Sequence, residues 1–198
     1  MCNIKELIKR RRSIRRYKKE VPSEELIKEC LLCAIWAPSP LNVQPVRYIR
    51  IVSDDVRKKI WKSLVKGKED ILEKTEERTK KWIKIYWERY CKFMFEAPVL
   101  FAVCVKKEKK MLSERLLGHP DRSLDISVGL SLSNFILRAE ELGLGTCILT
   151  APFLFVKNIE DILGIKDLSV RCFLTLGFPE QIPDPPERYP VSEIYRKI

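Results

Sequence analysis

Ser123-Leu124-Asp125-Ile126-Ser127-Val128-Gly129-Leu130-Ser131-Leu132-Ser133-Asn134-Phe135-Ile136-Leu137-Arg138-Ala139-Glu140-Glu141-Leu142, running into Gly143-Leu144-Gly145-Thr146, is the stretch whose reading decides the fold. Ile126, Val128, Gly129, Leu132, Phe135, Ile136 and Ala139 predict a helix over 123–142 with an apolar surface wider than one surface helix needs. Gly143 stands where a left-handed residue would cap that helix. Thr146 to Leu149 follows as a short strand.

Outward from this unit the chain alternates between the two periodicities. Toward the C-terminus, Val156–Leu163 reads as a short helix and Val170–Gly177 as a strand, and the proline-rich tail from Pro179 to Pro190 is extended. Toward the N-terminus, Val99–Val105 is an uninterrupted apolar run, which predicts a strand buried on both faces. Ser53-Asp54-Asp55 caps a helix, and the charged stretch from Ile60 to Phe95, with Trp61, Trp82, Trp87 and Tyr90, reads as one or two helices with aromatic faces. Val46–Val52 is a strand. Pro22-Ser23-Glu24-Glu25 opens a helix with a capping serine and first-turn acids, and Pro38 and Pro40 end it. Ser39–Pro45 is a loop, and Ile4, Leu7 and Ile8 give an opening helix that ends near Arg11. With neither repeat nor linker, the order predicts one layered α/β domain over residues 1–198, built on about four strands.

Composition excludes several classes. The chain has 198 residues, 45% hydrophobic and 33% charged, as in a globular protein. No apolar run approaches the roughly 18 residues of a membrane span, and residues 1–16 lack the apolar core of a secretory signal, so the cytoplasm is the expected location. Of seven cysteines, Cys30 and Cys33 form a C-x-x-C pair, but in mid-helix. His119 is the single histidine, so a closed zinc site is poorly supplied and no metal is expected. The cysteines read as buried, reduced thiols in apolar settings. Neither a G-x-G-x-x-G nor a P-loop fingerprint occurs, and no catalytic triad can be built.

The net charge of +11 suggests an anionic partner. Eight of the eleven residues from Lys9 to Lys19 are basic, and a second run spans Lys106–Lys110. Four segments carry candidate chemistry. Arg11-Arg12-Ser13-Ile14-Arg15 puts forked guanidinium donors and a hydroxyl where a helix meets a loop, which suits a phosphate; taken alone, a solvated basic helix end is the favoured reading. Pro38-Ser39-Pro40-Leu41-Asn42-Val43-Gln44 is a stiffened loop whose amides can address a planar heterocycle, or an ordinary turn. Gly143–Thr146 leading to Leu149-Thr150 is a strand end where backbone can approach a ligand. Arg188, after Leu176-Gly177-Phe178-Pro179, matters only if it joins Arg11 and Arg12.

These four segments, in this order, resemble the nitroreductase family of FMN-dependent oxidoreductases, with Asp125–Asn134 and Ala139–Gly145 adding to the match. The resemblance implies an α+β nitroreductase-like fold: a mostly antiparallel sheet of four to five strands flanked by helices, in a homodimer. It implies that Arg11, Ser13, Arg15 and Arg188 hold the FMN phosphate and ribityl chain, with Arg12 beside them. Pro38, Ser39, Pro40, Leu41 and Asn42 would reach the isoalloxazine from the other subunit, with Gln44 behind them, and the backbone at Leu149 and Thr150 would face its edge. The implied chemistry takes place at the flavin without a protein nucleophile. NAD(P)H is the co-substrate, and a nitroaromatic or quinone is the acceptor in a ping-pong cycle. The long helix from Asp125 would form much of the dimer interface. A relative that destroys its flavin or dehalogenates a substrate would use the same pocket, with Trp82–Phe93 as its lid. A nucleic-acid-binding module is the alternative of a different class, and the acids interspersed from Glu69 to Glu96 argue against it.

Overall fold

The computed structural model describes residues 3–107 and 122–198. His119, Cys2 and residues 108–110 of the second basic run lie outside them. Four strands form one sheet in the order β1-β2-β4-β3, every neighbouring pair antiparallel. They are β1 (Val46–Arg50), β2 (Val99–Lys106), β3 (Gly145–Leu149) and β4 (Leu168–Gly177). The helices are α1 (Ile4–Arg10), α2 (Glu24–Ile35), α3 (Asp54–Glu73), α4 (Glu77–Tyr90), α5 (Arg122–Glu141), α6 (Ile159–Leu163) and α7 (Val191–Ile194). The α+β architecture and strand number agree with the sequence reading.

Strand β2 is buried along its full apolar run, because a different layer covers each of its faces. Leu100, Ala102 and Cys104 face a core with Ile60, Leu64, Trp87 and Phe155. Val99, Phe101, Val103 and Val105 face Ile27, Cys30, Leu132 and Phe135, the side covered by α2 and α5. The charged stretch over 54–90 is two helices, and α3 is one helix from its Ser53 cap to Glu73. It stops where Thr75 donates its hydroxyl to the carbonyl of Ile71 at 2.6 Å. Only Ile83 and Trp87 of α4 are buried, so most of its aromatic surface stays outside the core.

Much of the breadth of α5 is spent inside the chain. Leu124, Val128, Leu132, Phe135 and Ala139 are buried. Ser131 Oγ and Asn134 Nδ2 donate to Ala34 O and Cys33 O at 3.1 and 3.2 Å, which satisfies carbonyls at the end of α2. Ile126 and Leu130 stay exposed, as do Leu32, Ile35 and Trp36 on the neighbouring α2. Gly143 has φ +73°, the left-handed cap that the sequence led us to expect. Cys30 and Cys33 lie within α2, as expected. Some boundaries move: β1 ends at Arg50 rather than at position 52, α6 starts at Ile159 rather than at 156, and the tail beyond Pro190 forms the short helix α7.

Candidate functional site

The site is built on the outer edge of β3. After α1, Arg11 turns the chain out of the helix with φ −51° and ψ 132°. The extended segment that follows lies along β3: Ser13 and Thr146 form a parallel bridge, and Ile14 N donates to Thr146 O at 2.8 Å. Gly145 makes this approach possible, because a Cβ there would meet Ile14 Cγ1 at 2.5 Å. A buried polar relay holds the far end of the segment. Tyr17 Oη donates to Ile14 O at 2.6 Å and lies 2.7 Å from Thr175 Oγ1. Thr175, fully buried on β4, reaches Cys147 O at 3.3 Å. Burial pushes the Tyr17 phenol above its ordinary range, so it stays a protonated donor. Lys18 N to Phe178 O at 2.9 Å and Glu180 N to Arg16 O at 3.1 Å complete the clamp.

Side chains alternate along an extended segment, and that alternation sorts the arginines. Arg11 and Ser13 line a cavity of about 260 Å³ with Ile136, Thr146, Cys147 and Ile148. Arg15 lines a second, of about 240 Å³, with Tyr86, Tyr90 and Cys147–Ala151. The two cavities are neighbours on β3, since Cys147 and Ile148 border both. The electrostatics of Cys147 reflect this convergence: burial raises its pKa, while Arg15, Arg11 and a hydrogen bond from Ser13 lower it. Arg15 Nε is buried with no hydrogen-bond partner. Its guanidinium lies 5.8 Å from the Tyr90 ring centroid and 6.0 Å from that of Phe93. Beyond the single bridge at Thr146, β3 has no strand partner on this side among the described residues, so its edge groups are free for a ligand.

Most of the other expected residues lie away from these two cavities. Arg12 points the opposite way from Arg11 and Ser13, into a groove with Arg10, Ile14 and Glu140. It donates to Lys9 O at 2.6 Å and Arg11 O at 2.8 Å, bracing the turn rather than facing the cavity. Leu149 and Thr150 do line the Arg15 end. Arg188 is exposed on the C-terminal arm, bonded only to Glu187 O at 3.4 Å, and lines neither cavity. Pro38, Ser39 and Gln44 border a separate pocket beside Tyr48, Ser127 and Ser131. Pro40, Leu41 and Asn42 form a short 3₁₀ turn. Leu41, Asn42 and Gln44 hold φ of 49°, 53° and 45°, three left-handed positions without glycine, interrupted by the right-handed Val43. Ser39 Oγ accepts from Gln44 N at 2.9 Å, and Gln44 Nε2 donates to Asn42 Oδ1 at 3.1 Å. Leu41 is 92% exposed. Sequence reading did not place Tyr17 or Thr175 at the site, whereas Tyr86 and Tyr90 fall within the Trp82–Phe93 stretch that it gave as a lid for the same pocket.

The sequence model of the nitroreductase family matches residues 8–178, a span that contains the whole of this edge. The chain belongs to the nitroreductase family. Iodotyrosine deiodinase from Thermotoga neapolitana is 28% identical over 193 residues, covering 96% of this chain and 94% of the relative. A BluB-like flavoprotein from Clostridium difficile 630 superposes with a TM-score of 0.85 at 28% identity, over 100% of both chains. The structure of iodotyrosine deiodinase bound to FMN and 3-iodo-L-tyrosine gives a TM-score of 0.67 at 26% identity, covering 99% of this chain and 96% of that one.

Proposed function

We propose that this chain is an FMN-dependent oxidoreductase that works as a homodimer and transfers reducing equivalents from NAD(P)H to a small acceptor. One observation carries the reading. Arg11 and Ser13 line one cavity on β3 and Arg15 lines the next, both bordered by Cys147 and Ile148, and the buried Nε of Arg15 has no hydrogen-bond partner. An unpaired buried donor costs stability unless a ligand satisfies it, and these donors suit an anion joined to a polar chain.

Arg11 and the Ser13 hydroxyl grip the phosphate, and Arg15 donates to the cofactor farther along. The backbone of Leu149 and Thr150 meets the edge of the ring. FMN held there would supply hydride transfer between NAD(P)H and an acceptor such as a nitroaromatic or quinone. Arg12 keeps the turn after α1 in place. Arg188 and the loop from Pro38 to Gln44 belong to this site through a second copy of the chain, because within one chain they lie apart from the cavity. Exposed Ile35, Trp36, Ile126 and Leu130, with Tyr189, Val191, Ile194 and Tyr195 on the arm, supply apolar surface for that assembly.

The test is an absorption spectrum of the purified protein, chromatography of the heat-released flavin, and anaerobic titration with NADH and NADPH. The reading requires FMN, bleaching by a nicotinamide, and twice the chain mass in light scattering. FAD, no flavin after reconstitution, or a monomer that holds FMN would refute it. Likeness to a deiodinase over nearly the whole chain supports a second reading, reductive dehalogenation. Two electrons and a proton would replace a carbon–iodine bond by carbon–hydrogen, releasing iodide. Iodide release from 3-iodotyrosine by the reduced protein separates the two.

A further inference from the structure

The wall of the ring-end cavity is more specific than its floor. Tyr86 and Tyr90 both line it, their centroids 5.1 Å apart and their planes 54° apart. Trp82, four residues before Tyr86, is 67% exposed and extends the same helical stripe of aromatic rings. Arg89 places its guanidinium 5.6 Å from the centroid of Tyr90. Among the described residues, Arg89 has no carboxylate partner. The two acids of α4 are engaged elsewhere, Glu77 with Lys80 at 2.7 Å and Glu88 with Lys92 at 3.2 Å. No carboxylate lines the cavity. Across Glu77–Tyr90 there are five basic residues against these two acids.

We propose that α4 selects the second substrate as an aromatic anion, with Tyr86 and Tyr90 packing on its ring and Arg89 pairing with its acidic substituent. The inference rests on the FMN reading above, and it adds the chemical class of the acceptor and the residue that sets it. A ring with a carboxylate finds an aromatic wall with an unpaired guanidinium beside it. A ring with an ammonium group finds only like charge, which disfavours it at the same place. Arg15 is already committed to the cofactor, so charge selection falls to Arg89. Because Arg89 is exposed, the selection weakens as salt screens it.

The experiment uses FMN-loaded protein at low ionic strength, titrated with 4-nitrobenzoate, nitrobenzene and 4-nitrobenzylamine as its ammonium ion. Binding is read from the change in flavin absorption. The expected order is benzoate, then nitrobenzene, then the ammonium compound, with about tenfold or more between the two charged probes. Arg89→Gln should reduce that ratio to about threefold or less, and Arg89→Lys should keep most of it. Equal binding of the charged probes, or a ratio that survives Arg89→Gln, overturns the proposal. A wild-type protein that takes up no FMN overturns the underlying reading and this one with it; FMN binding without charge preference overturns this one alone.

Discussion

Gly145→Ala is the smallest change that separates the N-terminal segment from the sheet. The new Cβ would stand 2.5 Å from Ile14 Cγ1, 2.8 Å from its Cβ and 2.9 Å from its Cγ2. Carbon atoms pack at about 3.5–4.0 Å, so the segment must retreat by about 1 Å. The bond from Ile14 N to Thr146 O, 2.8 Å in the native chain, then passes out of hydrogen-bonding range. Overpacking of this kind costs about 1–3 kcal/mol, and for a chain this size each kcal/mol lowers the melting temperature by roughly 2–4 °C. A fall of about 3–10 °C is expected. Ser13 and Arg15 move with the segment, and a lost hydrogen bond to a charged group is worth about 1.5–3 kcal/mol. FMN affinity should therefore drop about tenfold or more. Thermal melts of the apoprotein and fluorescence titration with FMN measure the two effects. Wild-type values in both would mean that the contact between Ile14 and β3 does not position the site.

Arg11→Ala and Arg188→Ala should each weaken FMN binding by about 1.5–3 kcal/mol, a loss of about ten- to a hundred-fold in the same titration. An unchanged dissociation constant in both variants would make the basic N-terminal cluster a solvated surface. If the loop addresses the ring as proposed, Asn42→Ala should alter the flavin midpoint potential more than the affinity; potentiometric titration beside the binding assay decides this. Burial pushes the thiols of Cys30, Cys91, Cys104 and Cys172 up to about 12 from the ordinary 9.0. In the unfolded chain they ionise from about pH 9 upward while the folded protein holds them neutral, so stability falls as pH rises from 9 toward 12. Denaturant melts across that range should show the decline, and these four thiols should resist a thiol reagent at pH 8 until the protein unfolds.

The layers were legible because their signals are local and periodic. Val99–Val105 needed no neighbour to declare itself a doubly buried strand, and Gly143 marked the end of α5 through its backbone alone. The site was legible only as a set of segments. The end of α1 near Arg11 was legible, but not that the chain continues in extended form, which lets Arg11 and Ser13 face the cavity while Arg12 turns away. Thr175 is silent in sequence, a hydroxyl between Leu174 and Leu176, and acquires meaning only when Tyr17 arrives from 158 residues away. Arg188 and the Pro38–Gln44 loop stand apart from the cavities in the single chain, a separation that no local sequence signal announces.

The turn at Leu41, Asn42 and Gln44 sets two kinds of selection against each other. Each left-handed residue there costs of order 1 kcal/mol that glycine would not incur. Leu41, at 92% exposed, recovers almost nothing through packing within its own chain. A screen for heat resistance alone would drift toward glycine at these positions and lose the rigid presentation of Asn42. A lineage under pressure to keep turnover would retain the costly residues. The loop is thus where a laboratory-stabilised descendant of this protein would first part company with a natural one.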